Sequence, residues 1–101
     1  MSECQWQANA NGYALSGELT RDSVPSVWVD IQGWTPTQSE CEVSLEQTHR
    51  IDSAGMAMLI HLIQHAKNSN CHIMLSFVPE QLRTLFQLSN IETMLVNHIK
   101  K

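Results

Sequence analysis

The chain is 101 residues long, 43% hydrophobic and 16% charged, with 6 Lys plus Arg, 10 Asp plus Glu and a formal net charge of -4. That length and apolar content suit one compact domain over 1–101 that buries roughly 65% of its unfolded surface. So few cations leave no basic stripe for a phosphate backbone or an anionic bilayer, which argues against nucleic acid and membrane surfaces as partners.

The opening "MSECQWQANA" has no basic n-region and no apolar h-region, and the nearly apolar run at 54–63 is broken by His61. The expectation is a cytoplasmic protein, neither secreted nor membrane-inserted. A first strand at about 4–8 alternates Cys4, Trp6 and Ala8 with Gln5 and Gln7, and "ANANG" turns the chain into a second strand around 13–16. Val24, Val27, Trp28 and Ile31 then fall at i, i+3, i+4 and i+7, giving a helix that Asp22 or Ser23 can cap, with Pro25 tolerated in its first turn and Gly33 ending it.

After the loop "GWTPTQSE" a third strand carries Cys41, Val43 and Leu45 on one face, and a long helix follows at about 53–68. The fourth strand is "HIMLSF", with Ile73, Leu75 and Phe77 on one face. Pro79 opens a helix carrying Leu82, Leu85 and Phe86, and Asn90 is the expected cap of a last short helix. The middle of this order is two βαβ crossovers in succession. Right-handed crossovers that keep moving one way along a sheet put their helices on one face, and alternating strands suit a sheet with one covered face. The expected class is therefore α/β, α+β-like in layout: a mixed sheet of about four strands with helices mainly on one face.

On a 100° wheel the long helix gathers Met56, Leu59, Ile60, Ile63 and Ala66 on a sheet-facing side. Across from them lie Ala54, Ala57, Met58, His61, Leu62 and His65, where a solvated helix would carry Lys and Glu. An exposed band of this kind suits a partner surface, and ordinary packing against neighbouring helices is the competing reading. Met58, with its flexible thioether, suits adaptable contacts. Asp52 and Ser53 open the helix ahead of the small pair Ala54 and Gly55, and either side-chain oxygen can cap the first-turn N–H groups. Ser53 also stands at the positive end of the helix dipole, where a phosphate would be accepted locally.

Other chemistry has little support. There is no GxSxG elbow, nothing places His49, His61 or His72 as base to a serine, and no glycine-rich phosphate loop exists. His61 and His65 stand at i, i+4 but lack the glutamate of HExxH, so no metal or other cofactor is expected. Cys4, Cys41 and Cys71 fit no CxxC or zinc spacing and read as structural thiols in a reducing compartment.

"ALSGEL", a strand leading into "IDSAGMAMLIHLIQHAK", and "HIMLSFVPEQLRTLFQLSNIETML" together resemble the STAS domain, the family of the anti-anti-sigma factors, over about 5–97. The family's D-[ST]-x-G motif starts the second helix, and its phosphorylatable or contact-making hydroxyl maps onto Ser53. Two positions depart from the pattern: Thr20 replaces the acid that usually follows GEL, and Ala54 leaves Ser53 as the motif's sole hydroxyl.

"LIHLIQHAK" is similar to the branch of small cytoplasmic subunits of phospholipid ABC transporters. That resemblance implies a non-enzymatic subunit, peripheral to the inner membrane, which docks on the transporter's ATPase through the surface around Ser53. The permease is then met indirectly, and the complex maintains outer-membrane lipid asymmetry. The family's other function class implies a serine-kinase anti-sigma factor as partner, with Ser53 as its substrate.

Overall fold

The computed structural model describes residues 3–10 and 12–100. Two antiparallel strands, β1 (Cys4–Asn9) and β2 (Gly12–Leu19), lead into α1 (Val24–Gln32), β3 (Glu40–Ser44), β4 (Thr48–Ile51) and α2 (Ser53–Lys67). Then come β5 (His72–Ser76), α3 (Glu80–Leu88) and α4 (Glu92–Leu95), which runs into a 3-10 turn at Val96–His98. The sheet order is β1-β2-β3-β5, with β4 also paired to β2, and every pairing other than β1 with β2 is parallel.

Register explains which face is covered. Trp6 stands opposite Leu15, Tyr13 opposite Val43, and Val43 opposite Leu75, so these residues share one side of the sheet. Leu15, Leu19, Val43, Leu45, Ile73 and Leu75 on that side are essentially inaccessible, and α1 and α2 pack over them. The alternate residues leave Gln5 and Gln7 exposed and Ser16, Glu42, Ser44 and Met74 half-buried on the other side. Both crossovers keep their helices on one face, as the strand alternation implies. Among the described residues no helix is long and apolar enough to cross a membrane.

Among the described residues the sheet has five strands rather than about four. The additional one, β4, is the four-residue "THRI", in which Thr48 and Ile51 are buried and His49 and Arg50 exposed. That is no period-2 signal. It forms because a turn at 45–47 lets the chain leave β3 and rejoin β2 further along, where Gly17 (φ +107) donates its N–H to the Gln47 carbonyl at 3.0 Å and the register shifts. The Thr48 hydroxyl then donates to the Leu15 carbonyl at 2.7 Å.

Two cap expectations are corrected. Ser23 is the N-cap residue of α1, but its hydroxyl makes no cap bond to the helix; it donates to the Glu18 carbonyl at 2.6 Å and accepts the Thr20 N–H. Asn90 does not open α4. It ends α3 in the left-handed region (φ 59), where its N–H reaches the Gln87 carbonyl and the Ile91 N–H reaches Phe86, a Schellman closure.

The expected exposed band on α2 is also corrected. Met58 is 2% and Leu62 0% exposed, because α2 lies in a trough with α1 on one flank and α3 on the other. Gly55, Met56, Met58, Leu59, Leu62, Ile63 and Ala66 are all buried, leaving Ser53, Ala57, His61, Gln64 and Lys67 as the exposed strip. Periodicity fixed the width of the apolar arc, but its centre depended on helices that lie elsewhere in sequence. Met58→Asp should therefore unfold the protein or lower its thermal midpoint sharply. An unpaired buried carboxylate costs several kcal/mol against a total stability of about 5–15 kcal/mol. Thermal denaturation followed by circular dichroism checks this, and an unchanged midpoint would contradict the packing described here.

Candidate functional site at the start of the second helix

The tetrapeptide Asp52-Ser53-Ala54-Gly55 sits at the carboxyl ends of the parallel strands, where the chain leaves β4 and enters α2. Two of its four residues are committed to the fold. Asp52 is the N-cap: its Oδ1 accepts the Gly55 N–H at 3.0 Å and its Oδ2 accepts the Arg21 N–H at 3.0 Å. One carboxylate thus caps α2 and ties it to the segment after β2. Partial burial opposes its ionisation, but the backbone N–H groups of Arg21, Gly55 and Ala54, with the Arg50 charge, outweigh it and hold the carboxyl below its ordinary value.

Gly55 is required by distance. A Cβ there would stand 2.2 Å from the Leu19 carbonyl oxygen and 3.0 Å from Leu19 Cγ, so the helix can approach the end of β2 this closely only without a side chain.

Ser53 is the outward residue of the four. It is the first helical residue rather than the cap, and its side chain is exposed; Ala54 beside it is half-buried. Two depressions flank it. One, of about 480 Å³, is lined by Arg50, Ile51, Asp52, Ser53, Gln81, Thr84 and Leu85, between α2 and α3. The Gln81 side-chain oxygen accepts the Ile51 N–H at 3.1 Å and so fixes α3 against β4. The other, of about 290 Å³, lies on the β2 side and includes Thr20, Arg21 and Arg50.

The remaining sequence-derived residues separate. Ala57 and His61 continue the exposed strip from Ser53, whereas Met58 and Leu62 lie beneath it in the core. His65 is half-buried and donates from Nε2 to the Trp34 carbonyl at 2.9 Å, which anchors the loop after α1. His61 and His65 both lie about 6 Å from the Trp28 ring, at 6.0 and 6.1 Å. Among the described residues no three His, Cys, Asp or Glu side chains converge on a metal-sized point. The cysteines are free, and burial pushes the Cys4 and Cys41 thiols up to about 11, which keeps them protonated and unreactive.

Sequence reasoning missed Arg50, Gln81, Thr84 and Leu85. Arg50 stands one residue before the motif's isoleucine, and an inspection of both flanks of "IDSAG" would have raised it. The α3 residues carry no such signal, since only packing brings them to Ser53.

The chain matches the family described as "Mlab, STAS domain" over residues 2–97. It is 33% identical over 92 residues to the "Intermembrane phospholipid transport system binding protein MlaB" of Escherichia coli K12, covering 90% of this chain and 93% of that protein, and matches the Shigella flexneri protein of the same name to the same extent. The Haemophilus influenzae protein of that name is 30% identical over 89 residues, covering 84% and 85%. In fold the chain is similar to part of the murine Slc26a9 anion transporter in the inward-facing state, with a TM-score of 0.65, 10% identity, and coverage of 98% of this chain and 20% of that one.

Two substitutions test the motif's structural half. Asp52→Ala should cost about 1–2 kcal/mol at neutral pH, as expected for a lost cap. Because the folded carboxyl lies below its ordinary value, its contribution is present above 3.8 and is lost as pH falls through the folded pKa, so the gap to wild type should narrow on acidification. Urea melts across that range measure it. Gly55→Ala should destabilise despite alanine's better helix propensity, since overpacking against backbone costs about 1–3 kcal/mol and the propensity gain is about 1 kcal/mol or less.

Proposed function

The chain belongs to the MlaB STAS-domain family, and on that premise we propose that it is a non-enzymatic subunit of a phospholipid ABC transporter. In this reading it docks on the transporter's MlaF-like ATPase subunit and supports the assembly and activity that maintain outer-membrane lipid asymmetry. The permease is reached indirectly, and the subunit sits at the cytoplasmic side of the inner membrane through the complex.

The observation that carries the reading is the division of labour within Asp52-Ser53-Ala54-Gly55. Asp52 and Gly55 are consumed by the fold, while Ser53 is presented outward beside an open groove. An uncharged hydroxyl next to small residues lets a partner surface approach the helix start closely. The docking surface is Ser53, Ala54, Ala57 and His61 on α2, continued over Arg50, Gln81, Thr84 and Leu85. Asp52 and Gly55 position it, Met58 and Leu62 support it from below, and His65 braces its far end through Trp34.

The decisive experiment is co-purification of the tagged chain from native membranes, with Ser53 varied. Ser53→Thr and Ser53→Ala should remain folded and bring down the ABC ATPase, because the hydroxyl caps nothing. Ser53→Glu should also fold, its charge being welcome at a helix start, yet lose the ATPase and outer-membrane integrity. Excluding an anion from water at a docked surface costs several kcal/mol, and 2–4 kcal/mol is about a thirtyfold to thousandfold loss of affinity. Recovery of a serine kinase in place of the ATPase, with Ser53→Ala locked onto it, would establish the anti-anti-sigma reading instead. Purified alone, the chain should turn over no ATP in a coupled assay; robust turnover would contradict the non-enzymatic assignment.

A further inference from the structure

Strand alternation along β5 places Ile73 and Leu75 on the helix-covered face, where both are 0% exposed, and the next residue in that series is Phe77. Its ring never joins them. The ladder ends at Ser76, whose carbonyl accepts the Leu45 N–H at 2.9 Å, and the backbone then turns left-handed at Phe77 (φ 54), which leaves this residue 62% exposed.

Residue type sets this turn apart. Among the described residues three other than glycine hold a left-handed φ, and the other two are Asn70 and Asn90, whose short amide side chains tolerate it. A phenylalanine there is strained, because its Cβ crowds the following carbonyl, and an exposed ring recovers little of that by burial. The turn into α3 needs a left-handed residue, which asparagine or glycine would supply with less strain. Strained residues of this kind collect where a protein meets a ligand or a partner.

The position of the ring says which partner. β5 runs parallel to β3, and β4 runs parallel to β2 as β3 does, so Phe77 emerges at the same carboxyl end of the sheet as Asp52-Ser53-Ala54-Gly55. Then α3 begins at Glu80, and its Gln81, which accepts the Ile51 N–H, lines the groove beside Ser53. The ring is thus one short loop from the surface assigned to docking. The charged residues of the two turns beside it are Glu46 and Glu80, both exposed. A two-fold contact centred on Phe77 would set these acids of one copy against those of the other, and an anionic bilayer would repel them too. A large ring with a polar rim instead has the form of an interface anchor filling an apolar pocket on a different protein.

We infer that Phe77 is the aromatic anchor of the docking surface, and that the ATPase partner offers an apolar pocket to the β5–α3 turn. This rests on the docking reading and adds to it a second, apolar contact beside the small polar one at Ser53. The left-handed backbone then has a function: it keeps the ring out of the core and set for the pocket, so less freedom is lost on binding.

The test uses the full chain and its purified ATPase partner. Affinity is measured by calorimetry below each variant's melting transition, and the thermal midpoint by circular dichroism. Phe77→Asn keeps a residue suited to the left-handed turn and removes the ring. Its midpoint should equal or exceed that of wild type while the complex weakens about thirtyfold, as on removal of an interface hot spot. Phe77→Leu, apolar but smaller, should fall between the two. Leu88→Asn, which removes a side chain 79% exposed at the far end of α3, should leave the affinity unchanged.

An unchanged affinity for Phe77→Asn overturns the inference, and so does a lowered midpoint, which would mean that the ring stabilises the turn of the free chain. Equal losses for Leu88→Asn and Phe77→Asn would reduce the effect to general surface apolarity and overturn it as well. If Phe77→Asn binds as wild type while Ser53→Glu still dissociates, the anchor fails and the docking reading stands; if neither alters binding, the docking reading itself fails. Dimers of the free chain, or its capture by phosphatidylglycerol vesicles, abolished by Phe77→Asn with complex affinity unchanged, would give the ring to a second copy or to lipid and overturn the inference.

Discussion

The approach of α2 onto the end of β2 governs the rest of the site. It depends on Gly55 having no side chain against the Leu19 carbonyl and on the Asp52 carboxylate bridging the Arg21 and Gly55 N–H groups. Those contacts join residues separated by a helix and two strands, so the α2 start and the loop after β2 move as one body. The outward position of Ser53 follows from them. With its neighbours at 52 and 55 turned inward, a residue at 53 has no inward direction left.

Burial of α2 on three sides follows from the same seating. With α1 and α3 on its flanks, the helix spends its apolar residues on the core and retains a narrow strip of Ser53, Ala57, His61, Gln64 and Lys67 outside. The amount of apolar surface on this helix is thus accounted for internally. What remains outside is small side chains at the N-terminal end and the groove that α3 adds. Toward the C-terminal end the strip meets His65, Trp28 and Trp34, whose ring and carbonyl contacts stiffen the loop after α1.

The parts legible in the sequence were those set by local chemistry. The cap at Asp52, the helix from Ser53, the alternation of Cys41, Val43 and Leu45, and the one-faced helix layer are all readable from residue type and period. The illegible parts were set at a distance. β4 has four residues and buries its first and last, so its strand character comes from a ladder with β2 and a bulge at Gly17. Met58 and Leu62 looked peripheral because a wheel shows an arc without saying how many neighbours the helix has. Asn90 was a cap residue by type, yet its left-handed backbone belongs to the end of α3. At the site, Ser53 was visible, whereas the groove needed α3 to be docked by Gln81 before it existed.

The outer edge of β5 is held by the chain's own residues. Ile99 bridges Leu75 in parallel, the Lys100 N–H donates to the Leu75 carbonyl at 2.8 Å, and His98 donates to the Ile73 carbonyl at 2.8 Å. An incoming strand therefore finds the β5 ladder already occupied, and strand addition, which reads backbone more than sequence, is blocked at that edge. The same covering ties the last residues of the described chain to the sheet, so the end of the chain is held by backbone hydrogen bonds as well as by side chains. At that edge the protein resists the indiscriminate sheet-to-sheet joining that an open parallel edge invites.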